Sequence, residues 1–594
     1  MRAPTIRSLV LLTVLAVGAT AGFRMRRPAD ANTDGSKPRL AWIATAHQLG
    51  PVGYRDPAGA ISPDGNWIAY SEGRFLRVQP VSGGPVVDLP PGEAQIRNLS
   101  WHSDSERILT DGFETPNGWG IYDRVARTRR RIWPQRDDIR QATWSPAGKL
   151  IAGIVNTRDG PQVWAFDENG KGTRVAAPSQ RIAFPAWTPR GEIACISAVD
   201  GRLRVTIPCG GTPLRIDPDR DAYGPLAFSG DGALVYVALA NQTGTVDLWE
   251  APVTGGRARR MTPFSRDSYA PSIAADGSVV FRVQSYRTTV AMVAADGGAT
   301  TPLATFQSET PSWDPTGSLL GITYGTWRRV PDDAKYPDIA QDTGIIAVDP
   351  AHPAAAPARV VHDSTSEDQS LCWSPNGKWI AFHSHKDQSD DIWLRAAEGG
   401  GEARRISFLG RGAETGWPRW SPDGKWLLFE GAKPPSRRTL MFVIAIDQDS
   451  GAVAHEAEEV HVAAPEIEIG HAEWLPDSRH IVMIGKEAPG RHAIVALSLS
   501  GGNARVVYRF ASEHDAPGIA VSPDGRSVAF VAPASDGFFQ LFRMPLGGGA
   551  PVQITSDRSN KTQPAWSPDG KRIAFTVWSY EAQFFKAWGP TPTR

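Results

Sequence analysis

The chain has no excess of charge of either sign: 63 Lys+Arg balance 63 Asp+Glu over 594 residues. A general nucleic-acid binder carries a basic excess or a basic stripe, so no nucleic-acid partner is expected. Arg129-Arg130-Arg131 is the one tight basic run in the patterned region, and it reads as solvated charge at a strand entry that discourages edge pairing. Cysteine is scarce. Cys195, Cys209 and Cys372 cannot build a disulfide framework. Cys195 and Cys209 fall on neighbouring strand positions and read as buried free thiols, with a pair as the alternative. Enzyme signatures are missing as well. There is no Gly-x-Ser-x-Gly elbow, no Gly-x-x-x-x-Gly-Lys-Ser/Thr phosphate loop and no His-Glu-x-x-His zinc helix. Beyond the amino terminus nothing has the period of a long amphipathic helix.

What is present is a repeat. Trp420-Ser421-Pro422-Asp423-Gly424 and Trp566-Ser567-Pro568-Asp569-Gly570 each precede a short apolar run, and looser copies start at Ser62, Ser103, Ser145, Thr188, Ser229, Ala274, Asp314, Ser374, Leu475 and Ser522. Twelve copies in order are the mark of a repeat architecture. In the full tetrad Ser or Asp caps the backbone, Pro presets φ, and Gly takes the left-handed geometry that closes a hairpin. A further apolar run, a Gly-rich turn such as Gly399-Gly400-Gly401 and a fourth short run complete each unit. Four strands per unit of about 40–50 residues make a propeller blade.

Twelve blades exceed one ordinary ring, and a single core stops growing near about 250–300 residues. The expected fold is therefore all-β: two tandem β-propellers of four-stranded blades, six plus six, over 38–306 and 307–594, with seven plus five open. Intervals between tetrads average about 42 residues up to Asp314 and about 51 after it, so the second half carries longer loops. The last unit reads as a second strand over 571–577 and a third over 583–588. It lacks a fourth, and Leu40–Thr45 is the unclaimed apolar run expected to serve as an outer strand.

Residues 1–21 read as a signal peptide or an uncleaved anchor, with Arg2 and Arg7 ahead of an apolar stretch and a small-x-small site at Ala19-Thr20-Ala21. Residues 22–37 read as a linker. The expected location is periplasmic or secreted, or membrane-anchored through the amino-terminal segment alone.

The pattern Pro-x-Trp-Ser-Pro-Asp-Gly-Lys-x-Ile-Ala-Phe, seen over Pro418–Phe429 and Pro564–Phe575, resembles the WD-like propeller repeat of the TolB family, over nearly all of 38–588. TolB proteins are periplasmic and join one six-bladed propeller to an α/β domain. This chain has twice the blades and no room for that domain. The resemblance implies an exported, non-catalytic, monomeric scaffold binding a protein or peptide, with no cofactor. The alternative is a metal-dependent propeller enzyme, lyase or hydrolase, with its site in the second propeller. A sensor ectodomain on an uncleaved anchor is a third reading.

Loops between second and third strands carry the binding expectation, because function concentrates on loops held by a rigid frame. The residues are Arg328, Arg329, Asp332, Asp333, Lys335, Tyr336, Lys386, Asp390, Asp391, Arg437 and Arg438. No metal site is expected. His383 and His385, two apart at a strand end, are weak candidates for ligands. His471 reads as a surface or strand-edge residue.

Overall fold

The computed structural model describes residues 39–588 except 48–57, 93–95, 113–118, 134–138, 159, 177–181, 217–219, 241–245, 263–267, 305, 329–339, 354–358, 363–367, 386–389, 411–412, 434–438, 454–456, 461–466, 488–490, 500–503 and 511–517. The described residues are all β, without a helix. They form four-stranded antiparallel sheets, one three-stranded sheet around Ile193–Val199, and one six-stranded sheet. The architecture is that of a β-propeller.

The tetrads form the turns between first and second strands. At Ser567 the backbone N–H donates to the Arg572 carbonyl at 2.9 Å, and the Gly570 N–H returns to the Ser567 carbonyl at 2.9 Å. The Ser567 hydroxyl donates to Asp569 at 2.5 Å and accepts from the Arg572 N–H at 3.0 Å. Gly570 has φ of 69°, the left-handed region where a side chain would be strained. The hydroxyl hydrogen bond and the Lys571 N–H hold the Asp569 carboxyl below its ordinary range. The second turn starts at His102, one residue before the expected Ser103. The His102 N–H donates to the Arg107 carbonyl, and the Asp104 carboxylate takes the place of the hydroxyl by accepting from the Arg107 N–H at 3.0 Å.

First strands lie innermost and touch in cyclic order. Gly59–Ile61, Ile96–Trp101, Ile139–Trp144, Ile182–Trp187, Ala222–Phe228 and Ser268–Ile273 form one closed cycle. Ser308–Trp313, Asp368–Trp373, Glu414–Trp420, Ile467–Trp474, Ile519–Val521 and Asn560–Trp566 form another. Most inner strands carry a register shift, with a left-handed residue such as Gln141, Phe184, Thr310, Ser370, Trp417 or Gln563 three positions before the aromatic residue that ends the strand. A bulge of this kind bends a strand and re-aims its side chains. Apolar residues of neighbouring sheets interdigitate in separate clusters around each cycle, such as Leu428, Met441, Trp474, Met483 and Val495.

The six-stranded sheet joins the cycles. Val279–Ala294 and Arg572–Trp588 pair antiparallel without a register break from Val279↔Ala587 to Ala294↔Arg572. Val279–Tyr286 follows the inner strand of the first cycle, and its continuation lies between Arg572–Ser579 and Thr301–Pro302 in the second. Arg572–Trp588 does the reverse, and Arg39–His47 covers its far end as the outer strand. The sequence suggests two strands over 571–588, whereas a single 17-residue strand runs through both cycles. This pairing brings residues from both sides of position 306 into one sheet. The shared strands leave each cycle on the side of its second-to-third-strand loops, so those two sides adjoin. There Arg558 of the second cycle lies 3.6 Å from the buried Glu72 of the first.

Cys195 and Cys209 are bonded to each other, which corrects the reading of two free thiols. Thr206 lies opposite Cys195, and the turn after it returns Cys209 to a Cα separation of 4.9 Å. Among the described residues Cys372 is free and buried.

Candidate functional site

The residue just before the inner-strand aromatic, or its apolar equivalent, lines the axis of each cycle. In the first cycle it is always small: Ala60, Ser100, Thr143, Ala186, Ala227 and Ser272. The hydroxyls bond across neighbouring strands, Ser272 accepting from the Ile61 N–H at 3.0 Å and Ser100 from the Trp144 N–H at 3.0 Å. In the second cycle the same position holds Ser312, Cys372, Arg419, Glu473, Ala520 and Ala565. All six line a cavity of about 260 Å³ that opens among the turn prolines Pro315, Pro375, Pro523 and Pro568.

Two long charged residues thus stand where ten others are small, and they are neighbours. Arg419 Nε donates to Glu473 Oε2 at 3.1 Å, and Arg419 Nη1 donates to the Pro418 carbonyl at 2.9 Å. Glu473 Oε1 accepts from the Trp474 N–H at 3.0 Å, and Trp474 Nε1 donates back to the Arg419 carbonyl at 3.0 Å. Each side chain is under a quarter exposed. Burial raises the Glu473 carboxyl above its ordinary range, against the lowering effect of Arg419.

Deeper along the axis the bulge positions supply Trp417 and His471, whose rings meet edge to face at 4.8 Å. Arg419, Gly518 and Gln563 share this smaller pocket. Behind His471 lies Glu430, its Oε1 3.5 Å from the imidazole Nδ1. Burial pushes the Glu430 carboxyl up to about 8, with Arg419 and the His471 backbone N–H acting the other way. Burial likewise pushes the Cys372 thiol up to about 12, which removes it as a nucleophile near neutral pH. The arrangement offers a guanidinium held in place, a carboxylate, an imidazole backed by a protonated carboxyl, and an indole edge. His471 is therefore an axial residue and not the surface or strand-edge residue the sequence suggested.

The sequence-derived set is only partly described. Arg329, Asp332, Asp333, Lys335, Tyr336, Lys386, Arg437 and Arg438 lie outside the described residues. Arg328 is placed by its backbone, paired with Ala340 at the end of a second strand. His385 contacts Asp390 through Nδ1, and His383 Nε2 lies 3.6 Å from the same carboxylate. Asp391 lies within the sheet: its carboxylate binds Arg405 at 2.8 Å and accepts from Ser407 at 2.9 Å, which ties a third strand to the chain beyond its outer strand. Asp247 does the same with Arg260 and Thr262. Among the described residues no group of three or more His, Cys, Asp or Glu side chains is arranged to hold a metal.

Arg419, Glu430, His471 and Glu473 were not in that set. They come from three strands of two adjacent sheets, so no local motif contains them. The available signal was a long charged residue, twice, at a repeat position that is otherwise small.

No family model matches the chain. Dipeptidyl-peptidase 5 of Porphyromonas gingivalis is 40% identical over 62 residues, covering 10% of this chain and 9% of that protein, so the chain matches less than a tenth of the length of this relative. A crystal structure of TolB from Acinetobacter baumannii overlaps 72% of this chain and 82% of its own at 12% identity and TM-score 0.34. An oligogalacturonate lyase in complex with manganese overlaps 68% and 98% at 13% identity and TM-score 0.31. Function has to be argued from the chain's own geometry.

Proposed function

We propose that this chain is an exported, non-catalytic scaffold that binds a protein or peptide through the axial channel of its second cycle. The two cycles are proposed as two six-bladed propellers, divided near residue 306 apart from the shared strands, in a monomer that acts in the cell envelope. The observation that carries the reading is the Arg419–Glu473 pair, set in an open channel at a position filled by small residues in every other sheet. Binding sites are typically concave, with a few placed polar groups among apolar walls. Trp313, Trp373, Trp420 and Trp566 supply such walls here. The Cys195–Cys209 bond favours an oxidising compartment, in line with export. The loops bearing Arg328, Arg329, Tyr336, Lys386 and Arg437 are proposed contacts at the opposite mouth of the same channel.

The test is affinity capture from an envelope extract with the full chain and with Ala565→Trp, which plugs the channel beneath its turns. Capture that survives the plug, in a variant with wild-type secondary structure, overturns the channel as the binding site. A second reading is an enzyme that uses His471 as a general base, with Glu430 Oε1 3.5 Å from its Nδ1. Turnover of a polymer or peptide that disappears in His471→Gln, while capture is unaffected, would favour it. Metal content of the purified protein tests the metal-dependent form of that reading.

A further inference from the structure

Within the proposed peptide-binding reading, on which this inference rests, the chemistry of the bound group can be named. Arg419 has three hydrogen-bonding edges. Glu473 holds Nε at 3.1 Å, and the Pro418 carbonyl holds Nη1 at 2.9 Å. Nη2 makes no hydrogen bond among the described residues, and the side chain lines both axial pockets. A guanidinium fixed on two edges has already lost its rotamer freedom, so a ligand meeting the third edge has less ordering to impose. The facing positions Ser312, Ala520 and Ala565 are small and leave the space open.

The empty cluster carries no net charge. Glu473 neutralises Arg419 in the empty channel. Glu430 keeps its proton up to about 8 and adds no negative charge at neutral pH. The cavity, about 260 Å³, falls just below the usual range for a drug-sized ligand of about 300–1,000 Å³, so it suits one residue or a chain end.

We propose that the second channel is a carboxylate-binding site anchored by Arg419, which takes either a peptide's terminal carboxylate or an acidic side chain. Glu473 is a positioning residue: it aims the guanidinium and does not itself meet the ligand. Arginine is suited to this task because its planar fork matches a carboxylate.

The test is calorimetric or NMR titration of the full-length protein with three probes. N-acetylalanine offers a terminal carboxylate, the α-amide of N-acetylglutamate offers only a side-chain carboxylate, and N-acetylalaninamide offers neither. At least one of the first two is expected to bind saturably and the third not to bind; which of the two binds identifies the source. Arg419→Gln is expected to weaken that binding at least tenfold. Glu473→Gln keeps an acceptor for Nε while removing the competing charge, so binding should tighten several-fold. Equal binding of all three probes, no saturable binding, or binding unchanged in Arg419→Gln overturns the proposal. If Arg419→Gln does not fold, unchanged or weaker binding in Glu473→Gln overturns it instead. Probe binding with capture that survives the Ala565→Trp plug would reject the channel as the site of capture and keep the carboxylate site. Lost capture with flat titrations would do the opposite.

Discussion

The indole Nε1 of Trp313 donates to the backbone carbonyl of Ala565 at 3.1 Å, across 252 residues of chain. This bond joins the first inner strand of the second cycle to its last. Its counterparts link neighbours elsewhere: Trp101 to Ala60, Trp187 to Thr143, Trp373 to Ser312, Trp474 to Arg419 and Trp566 to Ala520. The tryptophan before each of these six turns is thus a staple to the preceding sheet as well as core. Trp420 is an exception, because its Nε1 is buried without a partner among the described residues.

That contrast gives a paired prediction. Trp313→Phe strands the Ala565 carbonyl and should cost about 1–3 kcal/mol of unfolding free energy. Trp420→Phe removes a donor that bonds to nothing and should cost less than Trp313→Phe. Urea denaturation of both variants decides it, and equal losses would show that the bond contributes no more than the packing.

The six-stranded sheet predicts what happens on division. A chain ending at residue 306 lacks 572–588, which leaves Val279–Tyr286 and Arg39–His47 without their common partner. An unpaired apolar edge invites association. The fragment should aggregate or lack a cooperative transition, and a peptide spanning 572–588 should improve its solubility. A monomeric fragment with a sharp melt would contradict this.

Thiol chemistry should follow the bonding. Unreduced protein should show no fast-reacting thiol when native, one after denaturation from buried Cys372, and three after reduction, as read by alkylation and mass. Replacing both Cys195 and Cys209 with Ser should cost roughly 3 kcal/mol, the scale for closing a loop of this length.

Glu430 sets a pH dependence. Its carboxyl is raised from 4.5 to about 8 in the folded chain. Between those values the unfolded chain has lost the proton that the folded chain keeps, so rising pH favours unfolding. The contribution is flat below about pH 4.5, falls by up to ~1.4 kcal/mol per pH unit through the interval, and levels off above about pH 8. Glu430→Gln should be relatively more stable than wild type at pH 8 than at pH 4.5. Parallel stability curves for the two proteins would rule this out.

The parts of the fold legible in sequence are those that recur. Twelve turns announce themselves because most carry the same hydroxyl, proline and glycine, and the looser copies keep the spacing. The Leu40–Thr45 run was legible as an outer strand because it had no other role. The turn at His102 was placed one residue late because the Asp104 carboxylate replaces the hydroxyl. The 572–588 strand looked interrupted because Trp578-Ser579-Tyr580-Glu581 is half polar, and only its partner Ser285–Thr288, nearly 300 residues earlier, makes it continuous. Cys195 and Cys209 were ambiguous because neighbouring strand positions suit a pair and two free thiols alike. The axial cluster was hidden because a ring places together residues that the sequence separates by whole repeats.

The shared strands also set a timetable. Arg572–Trp588 supplies a missing strand to both cycles, so neither has all its strands until those residues have been made. Through most of synthesis one sheet of each cycle therefore lacks a strand. Such a chain depends longer on protection from aggregation. Both cycles then receive their last shared strand together.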